Sequence, residues 1–267
     1  MSHSSSNHRE SSCVTIIAEV GMNHDGSIGN ARRLIDTATE CGADVVKFHA
    51  HVADAETLLD APSPAYFNEE SRYDYFRRTA FTIDQWKGLK RYTESKGRQF
   101  LASVFSREAV DLMERIGVTA FKIPSGEVTN LPLVEDMAGR RKPIYLSSGM
   151  SSWHELDQAM RIIQQAHVPL TIFQCTSEYP CAYEHVGLNV IQELQARYHT
   201  PVGLSDHTLT NYAAFAAVAL GATVIEKHLT FSRQMYGSDA KHSLEPHEFA
   251  DLVRGVRAIE TMLASPV

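Results

Sequence analysis

His207, in Ser205-Asp206-His207-Thr208, and His228, in Glu226-Lys227-His228, each close a short apolar run, and one helix-length segment separates the two runs. If the runs are successive parallel strands, they pair as neighbours about 4.8 Å apart and present both imidazoles on one rim. Two imidazoles side by side suit one divalent metal whose remaining positions stay open to substrate. The spacing alone also admits two unrelated polar residues at strand ends. Lys47 and Lys122 add charge to the picture, because each lies inside an apolar run. A lysine there loses hydration unless an anion or a carboxylate meets it. With Ser103, Ser125 and Ser147 as hydroxyl donors, the lysines fit a site for a small, multiply charged phosphate or carboxylate compound better than they fit a core. For any single serine, solvent contact or helix capping is the alternative.

Such residues need elements that bring them to one place. Apolar β-type runs at 15–19, 44–49, 99–103, 119–123, 143–147, 170–175, 201–205 and 223–228 predict eight strands. Helical periodicity fills the intervals at 28–41, 84–96, 107–115, 130–138, 152–165, 187–197, 211–220 and 246–263, as in Leu156, Ala159, Met160 and Ile163. Ser106 ahead of Glu108, and Ser152 three residues before Glu155, are helix start signals. Eight βα units predict a closed (β/α)8 TIM barrel. An open doubly wound sheet is the competing arrangement, but Gly21-Met22-Asn23-His24-Asp25-Gly26 after the first strand is no Gly-x-Gly-x-x-Gly turn.

A barrel collects its chemistry at the C-terminal strand ends. Those ends read Glu19; Lys47 and His49; Ser103; Lys122; Ser147; Cys175 and Thr176; Ser205 and His207; Glu226 and His228. Period-two alternation puts Lys47 with His49, Ser205 with His207 and Glu226 with His228 on one face, leaving Val46, Phe48 and Ile225 to pack outward. The connections 50–83 and 229–245 are long, leave the same rim, and read as lids or binding loops.

The 267 residues suffice for one such domain, taken as 14–267, behind a Ser-, His- and Asn-rich leader at 1–13 that is expected to be disordered. A formal net charge of −7 argues against a duplex nucleic-acid partner. The four cysteines form no Cys-x-x-Cys pair and no secretory segment precedes them, so the cytoplasm is the expected compartment. No apolar run reaches the roughly 18 residues that a membrane span needs.

Beyond composition, the chain resembles the catalytic barrel of the N-acetylneuraminate (sialic acid) synthase family. The stretches that carry the resemblance are Ile16-Ile17-Ala18-Glu19-Val20-Gly21-Met22-Asn23-His24, Gly42-Ala43-Asp44-Val45-Val46-Lys47-Phe48, Phe121-Lys122-Ile123-Pro124-Ser125-Gly126-Glu127, Ser147-Ser148-Gly149-Met150, Cys175-Thr176-Ser177-Glu178-Tyr179-Pro180, Ser205-Asp206-His207-Thr208 and Ile225-Glu226-Lys227-His228. The resemblance implies condensation of phosphoenolpyruvate with an aldose or acylamino-aldose, giving a 2-keto-3-deoxy sugar acid and phosphate. It implies that Lys47, Ser103, Lys122, Ser125, Ser147, Ser177 and Ser205 surround phosphoenolpyruvate, and that His207 and His228 hold a divalent ion, usually manganese. Glu19, Glu127, Tyr179 and Asp239 would face the sugar, with Glu19 or Asp239 moving a proton. A homodimer is the expected assembly.

The sequence departs from the family in three places. His49 stands where these synthases usually carry glutamine, Ser103-Val104 replaces Thr-Pro, and the sequence ends at Val267 without the small antifreeze-like domain that supplies an arginine in family members. The expectation drawn from this is an acceptor other than N-acetylmannosamine, selected by His49 and the two long loops. Two other functional classes stay open: a Schiff-base aldolase using Lys122 or Lys47, and a catalytically silent phosphosugar-binding barrel. Cys175 reads as a packing residue, His24 as either a rim residue or a turn cap, and the Tyr66, Phe67, Tyr73, Tyr75, Phe76 cluster as packing, lid or dimer contact.

Overall fold

Eight parallel strands close on themselves in chain order, in a computed structural model that describes residues 13–62 and 70–265. They are β1 (Thr15–Gly21), β2 (Val45–Ala50), β3 (Gln99–Val104), β4 (Phe121–Ile123), β5 (Ile144–Ser147), β6 (Leu170–Cys175), β7 (Val202–Asp206) and β8 (Val224–His228). The outer helices are α1 (Ile28–Glu40), α2 (Ala53–Glu56), α3 (Arg72–Thr79), α4 (Ile83–Ser95), α5 (Arg107–Ile116), α6 (Leu131–Gly139), α7 (Trp153–Gln165), α8 (Leu188–Tyr198), α9 (Tyr212–Ala219) and α10 (Pro246–Ala264). The (β/α)8 barrel expected from the alternation is therefore the fold.

Local signals explain the helix starts. Ser106 accepts from the Ala109 N–H, and Ser152 with Glu155 forms a reciprocal capping box at α7. On α7, Leu156, Ala159, Met160 and Ile163 are the buried positions, so the helical spacing reports the buried stripe. The outward strand residues Val46, Phe48 and Ile225 join that helix layer in one apolar core. Inside the barrel, Ile17, Val45, Leu101, Ala120, Phe173 and Val224 form a separate apolar plug, with Tyr145 packed on it.

The structure corrects the reading of 50–83 as one long loop, because α2 and α3 lie within it. These helices have four and eight residues, below the length at which helices stand alone in water, so packing must stabilise them. Residues 1–12 of the expected leader, and Tyr66 and Phe67, lie outside the described residues. Cys13, assigned to the leader, instead touches α10, where its thiol lies 3.5 Å from Glu260 Oε2. Among the described residues no helix is long and apolar enough to cross a membrane.

Candidate active site

Above the apolar plug the inward positions turn polar. Two residues beyond Ile17, Val45, Leu101, Tyr145 and Val224 stand Glu19, Lys47, Ser103, Ser147 and Glu226, and with Lys122 and Ser205 all are buried. Strand register sets Glu19 opposite both Lys47 and His228, Ser103 opposite Lys122, and Ser205 opposite Glu226. Pleating thus converts a period of two in sequence into one polar storey.

The lysines do not face only an anion site. Lys47 Nζ lies 2.8 Å from Glu19 Oε1 and 2.7 Å from Glu226 Oε2, the latter an ion pair outside hydrogen-bond geometry. Lys122 Nζ donates to Glu226 Oε1 at 2.8 Å, and the Ser205 hydroxyl donates to the same oxygen at 3.0 Å. Glu226 therefore bridges both ammonium groups, a role that the sequence reading did not give it. Burial disfavours charge on Lys47, but Glu19 and Glu226 outweigh it and raise its pKa. For Lys122, burial and the nearby Lys47 win over Glu226, and its pKa falls. Its ammonium also sits 3.8 Å above the Phe173 ring. The Ser103 hydroxyl oxygen is buried without a hydrogen-bond partner among the described residues, so it is free to meet a ligand at the lysine storey.

A second group of hydroxyls gathers over Gly149. A Cβ there would meet Ser125 Oγ at 2.6 Å and Ser177 Oγ at 2.7 Å, with the Cys175 carbonyl oxygen at 3.1 Å. Only glycine lets the chain pass beneath these hydroxyls, and this small donor cradle suits an oxyanion.

Higher on the rim the two imidazoles come together. The ring centres of His207 and His228 are 5.7 Å apart, and two imidazoles on one ion at about 2.1 Å would have centres roughly 5 Å apart. The Thr176 carbonyl oxygen accepts from His207 Nδ1 at 2.8 Å, so that nitrogen carries the proton and Nε2 keeps its lone pair. Burial, with His228 next, pushes the His207 pKa down to about 4, so the ring is neutral. His228 Nε2 lies 3.3 Å from Glu19 Oε2, and its Nδ1 is buried without a partner among the described residues. Although burial opposes ionisation of Glu19, His228 and Lys47 hold its pKa well below the usual range. The pair fits two ligands of an open divalent site. Among the described residues no group of three or more His, Cys, Asp or Glu side chains is arranged for a metal.

Beside the imidazoles opens a cavity of about 300 Å³, whose walls include His49, Glu127, Tyr179, His228 and Asp239. His49 Nε2 lies 2.7 Å from Glu19 Oε1, and the Tyr179 ring lies tilted against that of His207, with centres 4.1 Å apart. Asp239 reaches the cavity because Gly21, at φ +52°, leaves room where a Cβ would strike its carboxylate. The Met22 N–H donates to Asp239 Oδ2 at 2.8 Å. Burial again opposes ionisation, but His228 and His49 keep the Asp239 pKa low. Burial raises that of Glu127.

A profile of the NeuB family matches residues 34–267. The chain belongs to the NeuB family. Human N-acetylneuraminate-9-phosphate synthase is 39% identical over 256 residues, covering 94% of this chain and 71% of its own. The N,N'-diacetyllegionaminic acid synthase of Campylobacter jejuni is 36% identical over 260 residues, covering 94% and 78%. Among solved structures, the sialic acid synthetase of Leptospira borgpetersenii superposes with a TM-score of 0.86 at 31% identity, over 96% of this chain and 87% of that one. The NeuB-family chain is thus an enzyme, a phosphoenolpyruvate-dependent synthase that forms carbon–carbon bonds.

In this NeuB-family barrel every residue singled out for chemistry lies at the rim or in the storey below it. What sequence reading missed, besides Glu226, is the outer cavity wall. His51 is stacked between Phe76 at 3.7 Å and Phe105 at 4.1 Å, and is hydrogen-bonded to Glu56. A signal existed, since His51 and Phe105 continue the period-two rows of Lys47-His49 and of Ser103 just past their strands. His24 proves to be a turn cap, its Nδ1 accepting from the Gly26 N–H at 3.0 Å and its ring packed on Phe81. Cys175 is buried beside Ser125, and burial raises its thiol pKa, which suits packing.

Proposed function

We propose that this NeuB-family enzyme condenses phosphoenolpyruvate with an aldose or acylamino-aldose at the rim of the barrel, in a divalent-metal-dependent reaction that yields a nonulosonate-type 2-keto-3-deoxy acid and phosphate. The observation that carries this reading is the convergence at one rim of two buried lysines, a hydroxyl cradle and two facing imidazoles. His207 and His228 would hold the ion, manganese in this reading, which supplies Lewis-acid polarisation of the acceptor aldehyde. Lys47, Lys122, Ser103, Ser147 and Ser205 orient the phosphoenolpyruvate carboxylate, while Ser125 and Ser177 donate to its phosphate. C3 of phosphoenolpyruvate attacks the aldehyde carbon, water adds at C2, and phosphate leaves from the tetrahedral species. Glu19 and Asp239, both held ionised, are the carboxylates that accept the proton from that water or steer the one that reaches the new hydroxyl. His49, Glu127 and Tyr179 face the sugar. The four free thiols support a reducing, cytoplasmic compartment.

The test is metal removal. Chelator-treated enzyme should lose activity and regain it with Mn²⁺, and His207→Ala and His228→Ala should each be folded, metal-free and inactive. Full turnover by metal-stripped protein would exclude the metal role. One observation favours a second reading: the lowered pKa of Lys122 suits a Schiff-base nucleophile. Borohydride trapping on Lys122 in the presence of substrate, with activity unaffected by chelator, would select it.

A further inference from the structure

Directly before each rim imidazole stands a buried charged residue that faces away from the substrate. Asp206 and Lys227 are register partners on β7 and β8, and they are 3% and 2% exposed. The Lys227 ammonium is saturated by oxygens of a single loop: Asp206 Oδ2 at 2.5 Å, the Thr208 carbonyl at 2.5 Å, the Thr208 hydroxyl at 3.2 Å and the Thr210 carbonyl at 3.0 Å. The carboxylate closes the ring from its own side. Asp206 Oδ1 accepts from the Thr208 N–H at 2.8 Å, and Oδ2 accepts from the Thr208 hydroxyl at 3.2 Å. The segment 206–210 is thereby knotted around a cation that belongs to the neighbouring strand.

His207 lies inside the knot, and the residue following the cation is His228. The carbonyl of His207 accepts from the Cys181 N–H at 2.9 Å, and its ring is steered by Thr176. The contacts to Cys181 and Thr176 tie His207 to the loop after β6, whereas the Lys227 knot ties its backbone to the strand that carries His228. We propose that Asp206 and Lys227 are positioning residues that set the separation of the two imidazoles, and hence the affinity of the enzyme for its divalent ion. The inference rests on the reading of His207 and His228 as ligands. A buried ammonium needs an acceptor for each of its three N–H groups, and every acceptor here beyond Asp206 comes from Thr208 or Thr210, so satisfying the cation fixes where the loop that carries His207 passes.

The measurement is Mn²⁺ binding to metal-free protein, followed by the electron paramagnetic resonance signal of the free ion, with circular dichroism as the check on folding. Lys227→Met should bind Mn²⁺ at least about tenfold more weakly than the parent, the scale on which supporting contacts tune metal sites. Thr208→Val removes one hydroxyl from the knot without stranding a charge, and should weaken binding about threefold. If Lys227→Met does not fold, Thr208→Val decides alone. Parental Mn²⁺ affinity in Thr208→Val, or in a folded Lys227→Met, overturns the positioning role while leaving the ligand reading intact. Parental affinity in His207→Ala overturns both.

Discussion

Glu226 is the residue on which the electrostatics of the polar storey turn. Its carboxylate lies between Lys47 and Lys122 with all three groups buried, and removing one member of such a set leaves uncompensated charge in a low-dielectric interior. Glu226→Gln should therefore lower the stability of the substrate-free enzyme by about 3 to 5 kcal/mol. Phosphoenolpyruvate, by bringing its own negative charge to the lysines, should recover part of the loss. Thermal unfolding with and without phosphoenolpyruvate measures both effects, and a variant as stable as the parent would show that the lysines do not need this carboxylate. The sequence made the inward direction of Glu226 legible, since it alternates with His228. It did not reveal the bridge, because whether an inward lysine meets an anion or a carboxylate depends on which strands lie across the barrel.

At the scale of elements, the strands and the eight helices α1 and α4 to α10 were legible because each carries a buried face with its own period. The cavity wall was not. The helices α2 and α3 are short: α2 offers only Ala53 and Ala55, and the apolar positions of α3 are the aromatic Tyr73, Tyr75 and Phe76 with no long stripe behind them, so no periodic signal marks them. What holds α3 in place is long-range. Arg78 reaches Asp25 after β1 at 2.9 Å and Glu70 at 2.6 Å, and its guanidinium stacks over Tyr75 and over Tyr236 of the β8–α10 loop. The Tyr236 hydroxyl donates to Glu70 at 2.8 Å. Three rim segments thus meet at one half-exposed side chain. Arg78→Met should raise KM for the acceptor about tenfold and leave KM for phosphoenolpyruvate within about twofold, because the segments this latch joins carry Phe76 and Ser238 of the cavity wall and no residue of the lysine storey. Exposed ion pairs contribute little to stability, so unfolding should shift by less than about 1 kcal/mol. Equal changes in both KM values would place the latch in the general architecture.

Across the whole molecule, the inward apolar plug closes the base of the barrel. In the proposed reaction the lysine storey would hold the multiply charged substrate and the imidazoles and cavity above it would receive the second, so that the two reactants meet along the barrel axis. Such an arrangement demands that phosphate release depend on both substrates. The direct measurement is phosphate release by purified enzyme with Mn²⁺ and phosphoenolpyruvate against a panel of aldoses and acylamino-aldoses, with mass analysis of the product. Release is expected only when an acceptor is present, in equal amount with a product whose mass is that of the acceptor plus pyruvate. Release at the same rate without any aldehyde, or with no condensed product, would contradict it.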